Sequence, residues 1–301
     1  MITEPKNILR PKCFDDDDVE EALANLEQND DLRDRAGFDV SFLGLETPKP
    51  TFMPEIAGDA LDVGGSTELR YEHFSVAMSR DRRMARWVGW NIDGSRLLPE
   101  GTVKRVSFRH DPRLPLGQQI TGDAYKHNRL DQGHVSRRAD LIWGPIDEAT
   151  RANSDSSYFP NITPQMDDFN ESMKAGLWGC LENALYKQAK TGQRISVFGG
   201  PIFGDNDVQL PNVLVPIEFW KLLVYVVDGR PCAKAFVLKQ NVDVEVETIG
   251  PAWEPYAKRI DLLSDRTKLD FGVVARWDTT VSTAGVDEVE TPISDLDAID
   301  W

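Results

Sequence analysis

Asp131-Gln132-Gly133-His134 begins the most informative stretch of this sequence, and it is followed by Asn161-Ile162-Thr163-Pro164-Gln165, Asn170 and Trp178-Gly179-Cys180-Leu181-Glu182. His134 is a candidate general base, because an imidazole changes charge near neutral pH. The asparagines and the glutamate offer the hard oxygen ligands that Mg²⁺ prefers, and nearby arginines can bind phosphate. Each feature alone is more often structural, since a loop carboxamide usually caps a turn. Together they predict metal-assisted phosphodiester hydrolysis.

In this order and spacing, the residues resemble the motif of the DNA/RNA non-specific endonuclease family, which includes the Serratia nuclease and endonuclease G. The family's signature is Asp-Arg-Gly-His, then Asn-x-(Ser/Thr)-Pro-Gln, then an asparagine and a Trp-x-x-Leu-Glu on the following helix. The resemblance covers about residues 68–273. It implies the ββα-metal nuclease fold, an α+β architecture with a central antiparallel sheet and a helix that carries the metal site.

The resemblance implies a role for each matching residue. His134 would be the general base that activates water, and Asn161 would support the site. Asn170 would be the sole direct protein ligand of one Mg²⁺, with Mn²⁺ as an alternative, and Glu182 would hold the ion through water. Such a site suits Mg²⁺, which keeps several waters in most protein sites. The implied products carry 5′-phosphate and 3′-hydroxyl ends.

Positive charge for a phosphate must come partly from outside the motif, because Gln132 stands where the family has an arginine. A glutamine donates a hydrogen bond but carries no charge. The family also has a phosphate-binding arginine upstream of the motif. Residues 104–111 match that region, and their spacing does not decide between Arg105 and Arg109, although we favour Arg105. The nearby residues that can compensate for Gln132 are Arg129, Arg137 and Arg138; the alternative is a slow enzyme.

The spacing between Asn170 and the following helix also departs from the short form of the motif. Trp178 follows Asn170 by eight positions, about four more than in that form, although longer bacterial members resemble this chain. Four extra residues lengthen a straight helix by about 6 Å. Asn170 and Glu182 can therefore share one metal only if residues 170–177 bulge or if Asn170 precedes the helix. We expect that Asn170 precedes it.

The net charge of −16 is distributed unevenly along the 301 residues. Residues 1–62 carry a net charge of −10 and residues 281–301 a net charge of −6, whereas residues 80–138 carry +7. We therefore expect an acidic N-terminal extension (1–62), a nuclease domain (63–280) and an acidic C-terminal tail (281–301). Because the charge is uneven, the low pI of about 4.7 does not exclude a nucleic-acid ligand. The acidic ends serve solubility, or they restrain activity or bind a partner.

Composition narrows the class of protein further. No apolar run approaches the roughly 20 residues that a membrane helix needs, and we expect no contact with a membrane. The three cysteines fit neither a disulfide framework nor a zinc site. Since the N-terminus has no secretory signal pattern, we expect a cytoplasmic protein, with signal-less export as an alternative. Expected partners are DNA or RNA, an inhibitor, activator or immunity partner, and a second copy in a homodimer.

Periodicity predicts several elements around the motif. The predicted helices are 15–35, 173–190 and 255–263, and the predicted strands are 74–78, 87–92, 195–198, 219–227 and 233–238. The first two strands form a hairpin, and Gly199-Gly200-Pro201 and Asp228-Gly229 separate later ones. Residues 97–130 are rich in Pro, Gly and basic residues, which indicates a long functional loop.

Three functions are compatible with these features. The first is a Mg²⁺-dependent nuclease that cuts DNA, and also RNA, without strong sequence preference. In the cytoplasm such an activity needs control: either residues 1–62 restrain it, or the protein is a defence effector or toxin that a partner activates or neutralises. The second is a nuclease-like protein that binds nucleic acid but does not cut it, which only Gln132 supports. The third is an interaction protein with acidic tails, which the order of the motifs favours least.

Overall fold

The computed structural model describes residues 31–174, 176–242, 256–280 and 290–292. Residues 256–258 and 290–292 are described by their backbone alone. Its strands are β1 Thr51–Phe52, β2 Leu69–Tyr71, β3 Phe74–Met78, β4 Ala85–Asp93, β5 Leu130–His134, β6 Ile162–Met166, β7 Arg194–Ile202, β8 Val208–Leu210, β9 Val213–Val215, β10 Glu218–Val227, β11 Arg230–Lys239, β12 Tyr256–Lys258, β13 Leu269–Asp270 and β14 Glu290–Pro292.

Five α-helices lie within the described residues: α1 Arg138–Leu141, α2 Ile146–Asp155, α3 Asp167–Asn170, α4 Leu177–Ala189 and α5 Ile260–Thr267. Short 3-10 helices cover Leu32–Asp34, Pro54–Asp59, Leu116–Gln118, Gly122–Tyr125, Phe159–Asn161, Ser172–Lys174 and Gly272–Trp277. The loop predicted over residues 97–130 contains two of these 3-10 helices and joins a strand only at its end, in β5.

An antiparallel sheet forms the centre of the molecule, as the α+β prediction required. Its strands run in the order β14-β12-β11-β10-β7-β4-β3-β2. The predicted hairpin is confirmed as β3 and β4, in which Phe74 pairs with Trp90. The β10–β11 hairpin is confirmed at Asp228 and Gly229, whose φ angles of 49° and 75° both lie in the left-handed region. Such a pair is typical of a two-residue hairpin turn, whose twist matches that of the strands.

One predicted break in the sheet is wrong. Gly199-Gly200-Pro201 lies inside β7 instead of ending it. A Cβ on Gly199 would lie 3.1 Å from the Trp220 carbonyl oxygen, and one on Gly200 would lie 2.7 Å from the Arg86 carbonyl oxygen. These glycines therefore permit close approach between neighbouring backbones in the middle of the sheet.

Two apolar layers cover the two faces of the sheet. Along β10 the side chains alternate: Phe219 joins a core cluster with Trp178 of α4, and Trp220 joins a second cluster with Ile260 of α5. The face covered by α4 is the one that carries the predicted motif.

Residues 31–62 pack into the same domain as the rest of the described chain. Leu32, Phe42 and Leu61 belong to the first core cluster, and Arg35 forms a buried ion pair with Asp155 at 2.7 Å. The boundary expected at residue 63 rests on charge alone and stays a prediction. Most of the predicted helix 15–35 lies outside the described residues, and of the acidic tail only residues 290–292 are described.

Two predicted helices begin in the wrong place. Met173 lies in a 3-10 turn and is 98% exposed, because α4 begins only at Leu177. The carbonyl oxygen of Glu171 accepts hydrogen bonds from the backbone N–H groups of Lys174 and Gly176, which closes this segment into a turn of its own. The helix predicted over 255–263 is α5, which starts at Ile260, since the residues before it pair with β11 as strand β12.

Candidate active site

The antiparallel pair β5–β6 positions the motif. His134 pairs with Ile162, so the end of β5 lies beside the residue that follows Asn161. Because side chains alternate along a strand, Gln132 and His134 face the same side, and both line a cleft of about 670 Å³. Described residues that line the cleft are Arg105, Phe108, Tyr125, Leu130, Asp131, Gln132, His134, Arg137, Asn170, Glu171, Ser172, Met173, Gly179, Glu182 and Asn183.

The imidazole of His134 is uncharged in this cleft. Its Nε2 is buried and has no hydrogen-bond partner among the described residues, and the ring of Phe108 lies 5.3 Å away, centroid to centroid. Burial, followed by the positive charges of Arg138 and Arg105, lowers the pKa of His134 to about 3. The ring is therefore unprotonated at neutral pH, which is the state from which a general base starts.

Asn161 supports the cleft from behind and does not line it. Its fully buried side chain accepts hydrogen bonds at Oδ1 from the backbone N–H of Ser136 at 3.0 Å and from the hydroxyl of Ser136 at 2.9 Å. Its Nδ2 donates to the carbonyl oxygens of Ser136 and Ser156. These bonds fix the backbone immediately after His134.

Asn170 lies at the end of α3, in a helix separate from α4, as expected from the long spacing. Its Nδ2 donates to Asp131 Oδ2 at 3.1 Å, which fixes the amide and leaves Oδ1 as its acceptor. Burial raises the pKa of Asp131, and the charges of Glu171 and Asp167 contribute to the same shift. The cleft therefore has one fixed amide oxygen at the junction of the two helices.

Glu182 reaches the cleft from α4 and is only 8% exposed. Its Oε1 accepts a hydrogen bond from Lys221 Nζ at 2.9 Å. Lys221 lies on β10 beneath the ring of Trp178, with Nζ 3.9 Å from the ring centroid. Lys221 is not among the residues predicted for the site; the signal that could have found it is a single charged residue within the otherwise apolar predicted strand 219–227.

Two of the five candidate arginines line the cleft, Arg105 and Arg137. Nη1 of Arg137 is buried without a hydrogen-bond partner among the described residues, and the guanidinium lies 5.1 Å from the centroid of the Tyr186 ring. Arg138 is close enough to influence His134, but its Nη1 donates to Asn153 Oδ1 at 2.6 Å.

The structure does not bring Arg109 and Arg129 to the cleft. Nη2 of Arg109 donates to Ser154 Oγ at 2.6 Å, and its guanidinium lies over the ring of Tyr158. Arg129 forms an ion pair with Asp167 at 2.7 Å. Both side chains hold neighbouring segments of the chain together.

The donor set fits a hard divalent cation. Asn170 Oδ1 and Glu182 Oε2 are oxygen donors on the same cleft, and Mg²⁺ binds through one or two such groups while it keeps several waters. In the part of the chain that the structure describes, no three His, Cys, Asp or Glu side chains form a metal-binding group. The described residues therefore do not form a metal site whose ligands are all closely spaced His, Cys, Asp or Glu side chains.

The motif lies within the region of the chain that matches a known protein family. The model of the DNA/RNA non-specific endonuclease family matches residues 55–273. Uncharacterized protein y4fB of Sinorhizobium fredii (strain NBRC 101917 / NGR234) is 37% identical over 202 residues, which are 63% of this chain and 30% of that protein. Human mitochondrial endonuclease G is 25% identical over 205 residues, 60% of this chain and 66% of the relative. The chain thus spans less than two thirds of either relative.

A solved structure shares the fold. A chain in "Crystal structure of the EndoG/EndoGI complex: Mechanism of EndoG inhibition" superposes with a TM-score of 0.55 at 17% sequence identity, covering 70% of this chain and 87% of that chain. The central antiparallel sheet and the helix that carries the cleft are therefore those of the ββα-metal nuclease fold.

Among the described residues, no helix is long and apolar enough to span a bilayer.

Proposed function

Because the chain belongs to the DNA/RNA non-specific endonuclease family, we propose that its cleft hydrolyses phosphodiester bonds of DNA and RNA with the help of a divalent cation. The observation that carries the proposal is the buried Nε2 of His134, which has no hydrogen-bond partner among the described residues and lies in the same cleft as Asn170 and Glu182. A neutral imidazole beside two fixed oxygen donors is what a general base and a cation site require.

His134 takes the proton from the attacking water. Its low pKa keeps the ring unprotonated at neutral pH, so no proton has to leave first. The water oxygen then bonds to phosphorus while the bond from phosphorus to the 3′ oxygen breaks. The products carry a 5′-phosphate and, after the leaving oxygen gains a proton, a 3′-hydroxyl.

Asn170 is the direct ligand of a Mg²⁺ or Mn²⁺ ion in this proposal, and Glu182 holds the ion through water. The bound ion would neutralise the charge that develops on the leaving 3′ oxygen. Asp131 fixes the amide of Asn170 so that Oδ1 is available. Asn161 keeps the segment after His134 in place.

Arg105 and Arg137 bind the phosphates of the substrate, with Arg138 contributing positive charge behind them. Gln132 donates a hydrogen bond from the same face of β5 as His134. Contacts of this kind read the sugar-phosphate backbone, which carries little sequence information. The proposed activity is therefore non-specific in sequence.

A second candidate function is nucleic-acid binding without cleavage, and the uncharged Gln132 is the observation that favours it. Incubation of the full chain with supercoiled plasmid and with single-stranded RNA, in Mg²⁺ and in EDTA, separates the two. We expect degradation in Mg²⁺ only, and its loss in Asn170→Ala. Plasmid that is bound in a filter assay but stays intact in Mg²⁺ would support the second function.

Control of the activity is a separate question. The solved complex named above describes inhibition of EndoG, and by analogy a protein inhibitor is a reasonable partner for this chain. Restraint by the acidic N-terminal residues is best tested by removing residues 1–30, because residues 31–62 contribute to the core. The activator, immunity partner, homodimer, defence role and cytoplasmic location stay predictions.

A further inference from the structure

Lys221 occupies a position that an apolar residue would normally fill. It lies on β10 between the inward-facing Phe219 and Leu223 and is completely buried. Its Nζ lies 3.9 Å from the ring centroid of Trp178 and 5.2 Å from that of Trp90. Cation–π contacts with two indoles are favourable, but an ammonium group this deep also needs an anionic partner.

That partner is the carboxylate of Glu182, whose Oε1 lies 2.9 Å from Lys221 Nζ. Lys221 donates this hydrogen bond from the sheet. Glu182 also lines the cleft. One carboxylate oxygen is therefore held by the sheet, and Oε2 is left for the cleft. Burial in an apolar layer removes the water molecules that would otherwise compete for Lys221, so the contact fixes the glutamate torsions.

We propose that Lys221 is a positioning residue that fixes the Glu182 carboxylate so that its second oxygen serves the cation site of the cleft. The inference rests on the function proposed above and deepens it. Outer partners of metal-site carboxylates orient their ligands, and their replacement typically weakens metal affinity or activity about 10- to 100-fold. A lysine that only filled space would have no such effect.

Trp178 links this pair to the general base. Its ring covers Lys221 Nζ, and its Nε1 donates to the carbonyl oxygen of His134 at 3.3 Å. The end of β5 and the Lys221–Glu182 pair are thus fixed against the same indole. Lys221, which orients Glu182, lies against the face of that ring, and the ring nitrogen anchors the backbone of His134.

Metal binding to the nucleic-acid-free full chain tests the proposal. Free Mn²⁺ is followed by its EPR signal for wild type, Lys221→Met and Lys221→Gln, and the Mg²⁺ concentration that gives half-maximal plasmid cleavage is measured in parallel. Leu223→Ala is the matched control, since it damages packing on the same face of β10 and removes no hydrogen bond to Glu182. Near- and far-UV circular dichroism report whether each variant is folded.

We expect both Lys221 variants to bind Mn²⁺ about 10- to 100-fold more weakly and to need correspondingly more Mg²⁺. The cleavage rate at saturating Mg²⁺ should fall less than the affinity, and Leu223→Ala should keep the wild-type affinity. If Lys221→Met does not fold, the Mn²⁺ affinity of Lys221→Gln decides the test. Wild-type Mn²⁺ affinity in a folded Lys221 variant would overturn the proposal, as would an equal loss in Leu223→Ala.

A double-mutant cycle with Glu182→Gln separates positioning from a general structural role. If Lys221 acts through Glu182, then adding Lys221→Met to Glu182→Gln should weaken Mn²⁺ binding by less than about twofold, because coupled residues are not additive. Full additivity would contradict the inference while leaving the nuclease proposal intact. A wild-type chain that neither binds Mn²⁺ nor cuts plasmid would instead refute the proposed function itself, and this inference with it.

Discussion

The backbone carbonyl of Asn170 packs directly against the α-carbon of Gly179. A Cβ on Gly179 would lie 2.5 Å from that oxygen and 2.7 Å from the backbone nitrogen of Ser172. Glycine within a helix costs about 1 kcal/mol relative to alanine, so the close approach explains why it is present in α4. The extra residues after Asn170 therefore fold back over α4 instead of lengthening it, and Asn170 and Glu182 line one cleft.

Gly179→Ala should displace Asn170 from the cleft. The added methyl group collides with backbone atoms, which cannot move away as a side chain can, so α3 must shift. We expect the Mg²⁺ concentration for half-maximal cleavage to rise about tenfold, in the range seen when the support of a metal ligand is lost. Gly204→Ala is the control, because a Cβ there meets no atom of the described chain within 4 Å. Unchanged Mg²⁺ dependence in folded Gly179→Ala would refute the placement of Asn170.

Gly133→Ala should destabilise the β5–β6 pair. A Cβ at this position would lie 2.1 Å from Gln165 Oε1 and 2.3 Å from its Cδ, and Gln165 is completely buried. Overpacking of this kind costs about 1–3 kcal/mol, which thermal unfolding measures. The double variant Gly133→Ala/Gln165→Ser makes room for the methyl group and should recover part of the loss. No recovery would show that the strain arises elsewhere.

Arg105→Ala should weaken substrate binding without loss of stability, and Arg109→Ala should lower stability without loss of substrate binding. Arg105 is exposed in the cleft, so its loss should raise KM, lower the slope of log affinity against log salt concentration by about 1, and leave the melting temperature unchanged. Arg109 holds Ser154 and Tyr158, so its loss should cost about 1–3 kcal/mol of stability at unchanged KM. The reverse result would assign the phosphate contact to Arg109.

The lowered pKa of the partly buried His134 predicts a loss of stability in mild acid. Between its ordinary pKa of 6.5 and its folded value of about 3, the unfolded chain binds a proton that the folded protein does not. The free energy of unfolding therefore falls as the pH drops below about 6.5, for this group by at most about 2 kcal/mol at pH 5. Thermal unfolding at pH 7 and pH 5 should show a larger decrease for wild type than for His134→Asn; equal decreases would contradict the buried, neutral state.

Much of the fold follows from local patterns in the sequence. The strands β3, β4, β10 and β11 alternate or run continuously apolar, and turn residues such as Asp228 and Gly229 stand between them. The motif residues likewise carry their own chemistry, which is why their order along the chain resembles that of a nuclease family. That resemblance is sufficient to predict that His134, Asn170 and Glu182 share one cleft, and the structure brings the three side chains together there.

Other features depend on contacts that local sequence does not report. Met173 has the spacing of a helical residue, but the backbone bonds of Glu171 close a separate turn before α4. Lys221 looks like a solvated charge until the register of β10 turns it toward Trp178. Gly199 and Gly200 look like a break because the strands that they approach are distant in sequence. Tertiary packing decides each of these cases.

Measuring cleavage and affinity on the same His134→Ala protein tests whether His134 is the general base of a nuclease. Cleavage of supercoiled plasmid in Mg²⁺ gives the rate, and fluorescence anisotropy with a short duplex in EDTA gives the Kd. Loss of a general base typically costs 10²- to 10⁴-fold in rate. We expect a loss of about that size with a Kd within about threefold of wild type. Cleavage within about tenfold of the wild-type rate would contradict it.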